Sequence, residues 1–206
     1  MSGAKIQLSE EELMLAQNSQ IILTKNAVME KAFMLLDALS SRYQHYASQL
    51  LQPLLPELHP PKISKGERYL HLPYMILDFP RFFKQEDVLA IRTMFWWGHF
   101  WSITLHLKGT YKEQFRDAVH RFYSRQDSNN WMIQISGNEW QHHPAPETHR
   151  MLKSIPAGAI EDIYTNISFL KLNYFFPLDK WNEADRLLAD KFGNLIDVLA
   201  DQFPSR

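Results

Sequence analysis

The chain has no cysteine. That excludes disulfides, thiol nucleophiles and thiolate-ligated zinc together, and it suits a reducing cytoplasm. Glycine is scarce, seven in 206 residues, and no glycine-rich phosphate loop, dinucleotide fingerprint or GxSxG elbow occurs. Neither sign of charge is in excess: 22 Lys and Arg stand against 23 Asp and Glu, spread evenly over the two halves. Nucleic-acid binding needs a concentrated positive field, so no nucleic-acid partner is expected. The longest apolar region, Met94 to Leu107, is broken by Gly98, His99, Ser102, Thr104 and His106. It is too short and too polar for a bilayer-spanning helix, so no membrane partner is expected. The N-terminal stretch is acidic at Glu10, Glu11 and Glu12, where a signal peptide is basic and apolar.

What is present is enough apolar material for a proper core: hydrophobic residues make up 45% and aromatics 13%. A single domain is expected over 1–206, with a helical part at 1–52 and an α+β core at 60–206. Ser9 and Glu12 form a capping box that opens a first helix running toward Ile22. A second helix, from Asn26 to Leu51, carries Ala32, Leu36, Leu39, Tyr43, Tyr46 and Leu50 on one stripe. That stripe could bury on a sheet or in a homodimer contact. Residues 60–66 read as a connector, and Leu70 to Phe79 as a strand closed by Pro80.

The densest aromatic stretch is AIRTMFWWGHFWSITLHLKG, residues 90–109. It reads as a hairpin with a two-residue type II′ turn at Gly98-His99; the rival reading is a helix over 85–97. The hairpin register pairs Trp97 with Phe100, Trp96 with Trp101, Phe95 with Ser102, Thr93 with Thr104 and Ile91 with His106. One face then carries Arg92, Met94, Trp96, Trp101, Ile103 and Leu105. The other carries Ile91, Thr93, Phe95, Trp97, Phe100, Ser102, Thr104 and His106. A one-residue slip would rearrange both sets.

Thr110 and Glu113 form a second capping box ahead of a helix to Ser124, and Trp131 to Ile135 reads as a short strand. Residues 137–166 are irregular, and stretches of this length are often functional. In the last strand, Leu170, Leu172, Tyr174 and Phe176 share one face, while Phe169, Lys171, Asn173 and Phe175 share the other. Asp179 is expected to cap a final helix reaching Phe203. The fold class is α+β: a mainly antiparallel twisted sheet of about four to six strands, covered by amphipathic helices, the long ones at the two ends.

Three groups could carry chemistry. Thr93, Ser102, Thr104 and His106 lie on one sheet face, although Ser102 and His106 are about 13 Å apart and cannot form a nucleophile–base pair. Arg68, Asp78, Arg81 and Arg92 form a second group, in which an inward arginine holds either an aspartate or a ligand carboxylate or phosphate. The irregular segment supplies Glu139, Trp140, His142, His143, Glu147 and His149. His142, His143 and His149 are metal ligands by type, but Pro144 and Pro146 forbid the helical HExxH spacing.

The run GERYLHLPYMILDFPR, followed by the aromatic hairpin, resembles a family of bacterial proteins of about this size. The resemblance covers residues 60–110. It implies a bacterial cytoplasmic protein and transfers no activity, cofactor or catalytic residue. The residues themselves point to a binding module for a small molecule or a protein, an aromatic-rich sheet with a few inward polar groups. The alternative is an enzyme, hydrolytic and dependent on histidine or on a metal.

Overall fold

The computed structural model describes residues 6–51 and 58–201. Seven antiparallel strands form one sheet in the order β1-β2-β3-β4-β7-β5-β6. They are β1 (Lys62–Tyr69), β2 (Leu72–Phe83), β3 (Val88–Trp96), β4 (Phe100–Lys108), β5 (Met132–Gln134), β6 (His149–Met151) and β7 (Phe169–Pro177). The α+β class holds, but the sheet has seven strands, one more than the upper expectation of six; β1 and β6 are the strands not read from the sequence. β1, KISKGERY, lies at the sheet edge and is mostly solvated, so it lacks the apolar alternation of an inner strand. β6 is three residues long and sits inside the irregular segment. Pro80 does not close β2, which continues to Phe83 after a register shift between Asp78 and Arg81.

One face of the sheet is covered by two long helices, α2 (Ser19–Leu51) and α6 (Ala184–Ala200). Of the expected stripe on α2, Ala32, Leu36, Leu39 and Tyr43 are buried on this face, joined by Ala47 and Leu51, whereas Tyr46 is exposed and Leu50 only partly buried. The buried ones pack with Leu188, Phe192, Leu195 and Leu199 of α6 over Ile91, Phe95, Trp101, Ile103 and Leu105. Tyr43 stacks on Phe192 with ring centroids 3.6 Å apart, and its hydroxyl lies 3.2 Å from Thr93 Oγ1. Thr93 is thereby a satisfied core polar group beneath the helices.

The Ser9–Glu12 capping box is present and opens α1 (Glu10–Gln17), which stops at Asn18. The Thr110–Glu113 box is not formed. Gly109 occupies the cap position of α3 (Thr110–Gln114) without a side-chain cap, and the Thr110 N–H donates to Asp87 Oδ1 at 2.7 Å. Only glycine fits at 109: φ is +60°, and an added Cβ would lie 2.2 Å from the Glu86 carbonyl oxygen. Phe115 separates α3 from α4 (Arg116–Ser124). α5 (Ala157–Asn166) lies in the irregular segment. Asp179 falls in a 3-10 turn, Leu178–Glu183, and α6 begins without a side-chain cap. Phe203 lies outside the described residues.

The 90–109 stretch is an antiparallel pair, not a helix, but its register differs by one residue from the expectation. Trp96 pairs with Phe100, Phe95 with Trp101, Met94 with Ser102, Arg92 with Thr104 and Ala90 with His106. The loop is Trp97-Gly98-His99. Its turn is closed by the His99 N–H donating to the Trp96 carbonyl at 3.1 Å, and Gly98, its third residue, has φ +74°. A positive φ at that position belongs to a type II turn, which glycine permits. The slip moves Phe95, Trp101, Ile103 and Leu105 together under the helices. It moves Arg92 to the opposite face, where Ser102, Thr104 and His106 also lie.

Candidate functional site: the outer sheet face under a polar strap

Side chains on a strand alternate between faces, so the observed register determines what shares the outer face. Strand β2 brings Asp78 beside Arg92 of β3. Arg92 stands opposite Thr104 of β4, and β7 sets Lys171 opposite His106 and Asn173 opposite Thr104. Asp78 and Arg92 of one sequence group thus share a face with Ser102, Thr104 and His106 of the other. Residues 135–148 run across this face as a strap and deliver Glu139, Trp140, His142 and His143.

Arg92 grips Asp78 with two parallel hydrogen bonds, Nε to Oδ1 at 2.7 Å and Nη2 to Oδ2 at 2.9 Å. Its remaining Nη1 lies 3.1 Å from His142 Nε2. A guanidinium only donates, so His142 Nε2 accepts and this ring is neutral with its proton on Nδ1. Burial first, then the charges of Lys171 and Arg92, depress the His142 pKa to about 2. Thr104 Oγ1 donates to Asn173 Oδ1 at 3.0 Å. Ser102 is buried beside Phe175 in the cross-strand register.

Lys171 is the hub. It is 1% exposed, and its ammonium donates to the carbonyls of Glu139 at 3.0 Å and Gln141 at 2.5 Å. Among the described residues no carboxylate lies within ion-pair distance of it. Desolvation and then Arg92 bring its pKa down to about 7, against an opposing pull from Glu139. Lys171 in turn lowers the pKa of His106, His142, His143 and His149, in each case adding to burial.

His106 is held to about 3 by burial, followed by Lys171, Arg92 and Lys108. Its Nε2 lies 3.2 Å from Glu139 Oε2, yet the two are off line and neither atom makes a hydrogen bond. Glu139 Oε1 pairs with Lys108 at 3.1 Å. His149 Nδ1 contacts Thr148 Oγ1 at 2.8 Å, while its Nε2 is buried without a partner. Gln134 donates to the carbonyls of Ser136 and Asn138 and leaves its own Oε1 unpaired. Four buried, unpartnered polar atoms therefore lie along this face and strap, where native interiors leave few.

The strap is pinned at its middle by one phenol. Tyr69 Oη accepts the His142 N–H at 2.6 Å and meets His143 Nδ1 at 2.7 Å. Replacing Tyr69 by Phe removes both contacts at a cost of about 1 kcal/mol. We expect amide exchange in residues 139–144 to accelerate about fivefold, with helix α6 unchanged, in hydrogen-exchange mass spectrometry. Unchanged strap exchange would show that Tyr69 does not hold it.

Of the residues picked from sequence, Asp78, Arg92, Ser102, Thr104 and His106 share the outer face. Arg81 does not join them in hydrogen bonding; its Nε donates to the Pro60 carbonyl at 2.7 Å. His142, His143 and His149 have separate partners in Arg92, Tyr69 and Thr148. No group of three His, Asp or Glu side chains able to hold a metal occurs among the described residues. Glu147 is exposed. Sequence reasoning passed over Lys171 and Asn173, whose signal was a lysine and an asparagine alternating inside a strand otherwise made of Phe, Leu and Tyr. No protein-family model, curated protein or solved structure matches the chain.

Proposed function

We propose that this protein is a binding module that takes a small molecule bearing a carboxylate or phosphate on the outer sheet face beneath the strap. The observation that carries this reading is Lys171: a buried amine held by two strap carbonyls, of Glu139 and Gln141, with no carboxylate within ion-pair distance among the described residues. An anion placed there offsets the surplus positive charge. The second N–H groups of Arg92 Nη1 and Nη2 and the Asn173 amide are the donors available to orient it, the Thr104 hydroxyl being already given to Asn173 Oδ1. The aromatic patch of Tyr69, Trp96 and Phe100 adjoins this polar region and supplies apolar surface for the rest of a ligand. Among the described residues no helix is long and apolar enough to cross a membrane, and the cytoplasm is the proposed location.

Thermal unfolding with inorganic phosphate or succinate tests this. A bound anion at about 100 times its Kd stabilises the fold by roughly 2.7 kcal/mol. We expect a rise in Tm with at least one of the two anions, abolished in Lys171→Met. No rise with either, or an equal rise in the variant, contradicts the proposal.

A second reading, hydrolysis, is favoured by one contact, His106 against Glu139 at 3.2 Å. A neutral imidazole beside a carboxylate can take a proton from water, although no hydrogen bond to a described residue orients His106 here. A pKa near 3 makes His106 a weak base at neutral pH, and that ranks this reading second. Turnover of p-nitrophenyl esters that disappears in His106→Gln would reverse the ranking.

A further inference from the structure

Two lysines are buried among the described residues, Lys112 and Lys171, and each donates to two backbone carbonyls. Lys112 reaches the Tyr164 carbonyl at 2.5 Å and the Ile167 carbonyl at 2.6 Å. Those groups end helix α5, where the helix dipole favours a cation. Lys171 differs. Its acceptors, the Glu139 and Gln141 carbonyls at 3.0 Å and 2.5 Å, belong to the strap and end no helix. An ammonium has three N–H donors, and two acceptors leave one of them buried and unpaired. A neutral amine has two N–H donors and a lone pair, so the same two acceptors satisfy it completely. That neutral form is the nucleophile. Burial and then Arg92 favour it too: a pKa near 7 leaves about half of the amine neutral at pH 7, against fewer than about one in a thousand for a free lysine.

Arg92 is brought to the same place. Successive strap residues hold both side chains, the Gln141 carbonyl taking Lys171 Nζ and His142 Nε2 taking Arg92 Nη1 at 3.1 Å. Asp78 and His142 leave Arg92 one N–H on each of Nη1 and Nη2. A carboxylate accepts both. We propose that Lys171 holds a short oxo acid covalently, as an imine, with Arg92 on the acid's carboxylate. This rests on the anion-binding reading above and adds the carbonyl group to it. The step balances without a co-reactant. The Lys171 lone pair attacks the carbonyl carbon, the C=O π pair moves to oxygen, and a proton passes from nitrogen to that oxygen. The hydroxyl then leaves with the second nitrogen proton as water, and a C=N bond remains. Lys171 is 1% exposed, so the acid reaches it when the strap lifts.

Cyanoborohydride reduction followed by peptide mapping tests this on the full chain. Reduction fixes an imine as a stable amine that mass spectrometry locates. Pyruvate and 4-oxopentanoate are the probes, and butanone is the neutral control. We expect at least one oxo acid to label Lys171 about tenfold more than the exposed Lys62, and butanone to label Lys171 about tenfold less than that acid does. Lys171→Met should lose the adduct; where that variant does not fold, mapping of the wild-type chain decides. Labelling spread evenly over exposed lysines overturns the inference, and so does equal labelling of Lys171 by butanone. A rise in Tm with phosphate or succinate but no adduct at Lys171 overturns the inference and leaves the anion-binding reading standing. No rise and no adduct removes both.

Discussion

Replacing Arg92 by Ala is expected to cost about 3–5 kcal/mol in urea denaturation. The Asp78 side chain is only 10% exposed, and the substitution strips it of both hydrogen bonds and of its counterion. It also leaves His142 Nε2 without a donor. An unpaired buried charge is costly because water cannot replace the missing partner. Removing the pair together is different: Asp78→Leu with Arg92→Leu takes away both desolvation penalties and should recover most of the loss. A loss below about 1 kcal/mol in Arg92→Ala would mean that the pair is effectively solvated. Since a domain has only about 5–15 kcal/mol in total, the single variant sits near the edge of folding.

Stability should fall steeply between pH 6.5 and pH 4.5. His106 and His142 have folded pKa values of about 3 and about 2, against about 6.5 in an unfolded chain. Below pH 6.5 the unfolded chain binds protons that the folded chain refuses. The stability conferred by neutral burial is thus present above pH 6.5 and lost as pH falls through the window toward the folded values. Two such groups give a slope of about 2.7 kcal/mol per pH unit, and about 5 kcal/mol by pH 4.5. His149, held to about 4, adds in the same direction. Lys171 has the same sign at higher pH: its folded value near 7 lies below that of a free lysine, so stability continues to rise from pH 7 toward 10. Urea midpoints across this range check the slope, and His106→Gln with His142→Gln should flatten its acidic part. A flat profile in the wild-type chain from pH 6.5 to 5 would contradict the burial of both rings.

These effects depend on residues that the sequence showed unequally. The last strand was fully legible: Leu170 and Leu172 face the helices while Lys171 and Asn173 face outward, because strict alternation leaves no choice of face. The α2 stripe and the Ser9 cap were legible for similar local reasons. The hairpin register was not. Both faces of β3 and β4 are buried and both carry indoles, Trp96 on one and Trp101 on the other. Hydrophobicity therefore could not separate a two-residue turn from the three-residue loop that Gly98 serves. The edge strand β1 was hidden by its charges, and the Thr110 box by Asp87, whose carboxylate takes the Thr110 N–H across the fold. The strap was visible only as an irregular, proline-marked segment. What it covers follows from long-range contacts such as Lys171 to Glu139 and Tyr69 to His142.

The unity of the site rests on Arg92 facing Thr104, for that register alone puts the guanidinium, His106 and Lys171 on one surface. Cross-strand backbone NOEs on isotope-labelled protein read this directly. They should connect Arg92 with Thr104 and Ala90 with His106. Connections of Thr93 with Thr104 and Ile91 with His106 would return Arg92 to the helix side and divide the site in two.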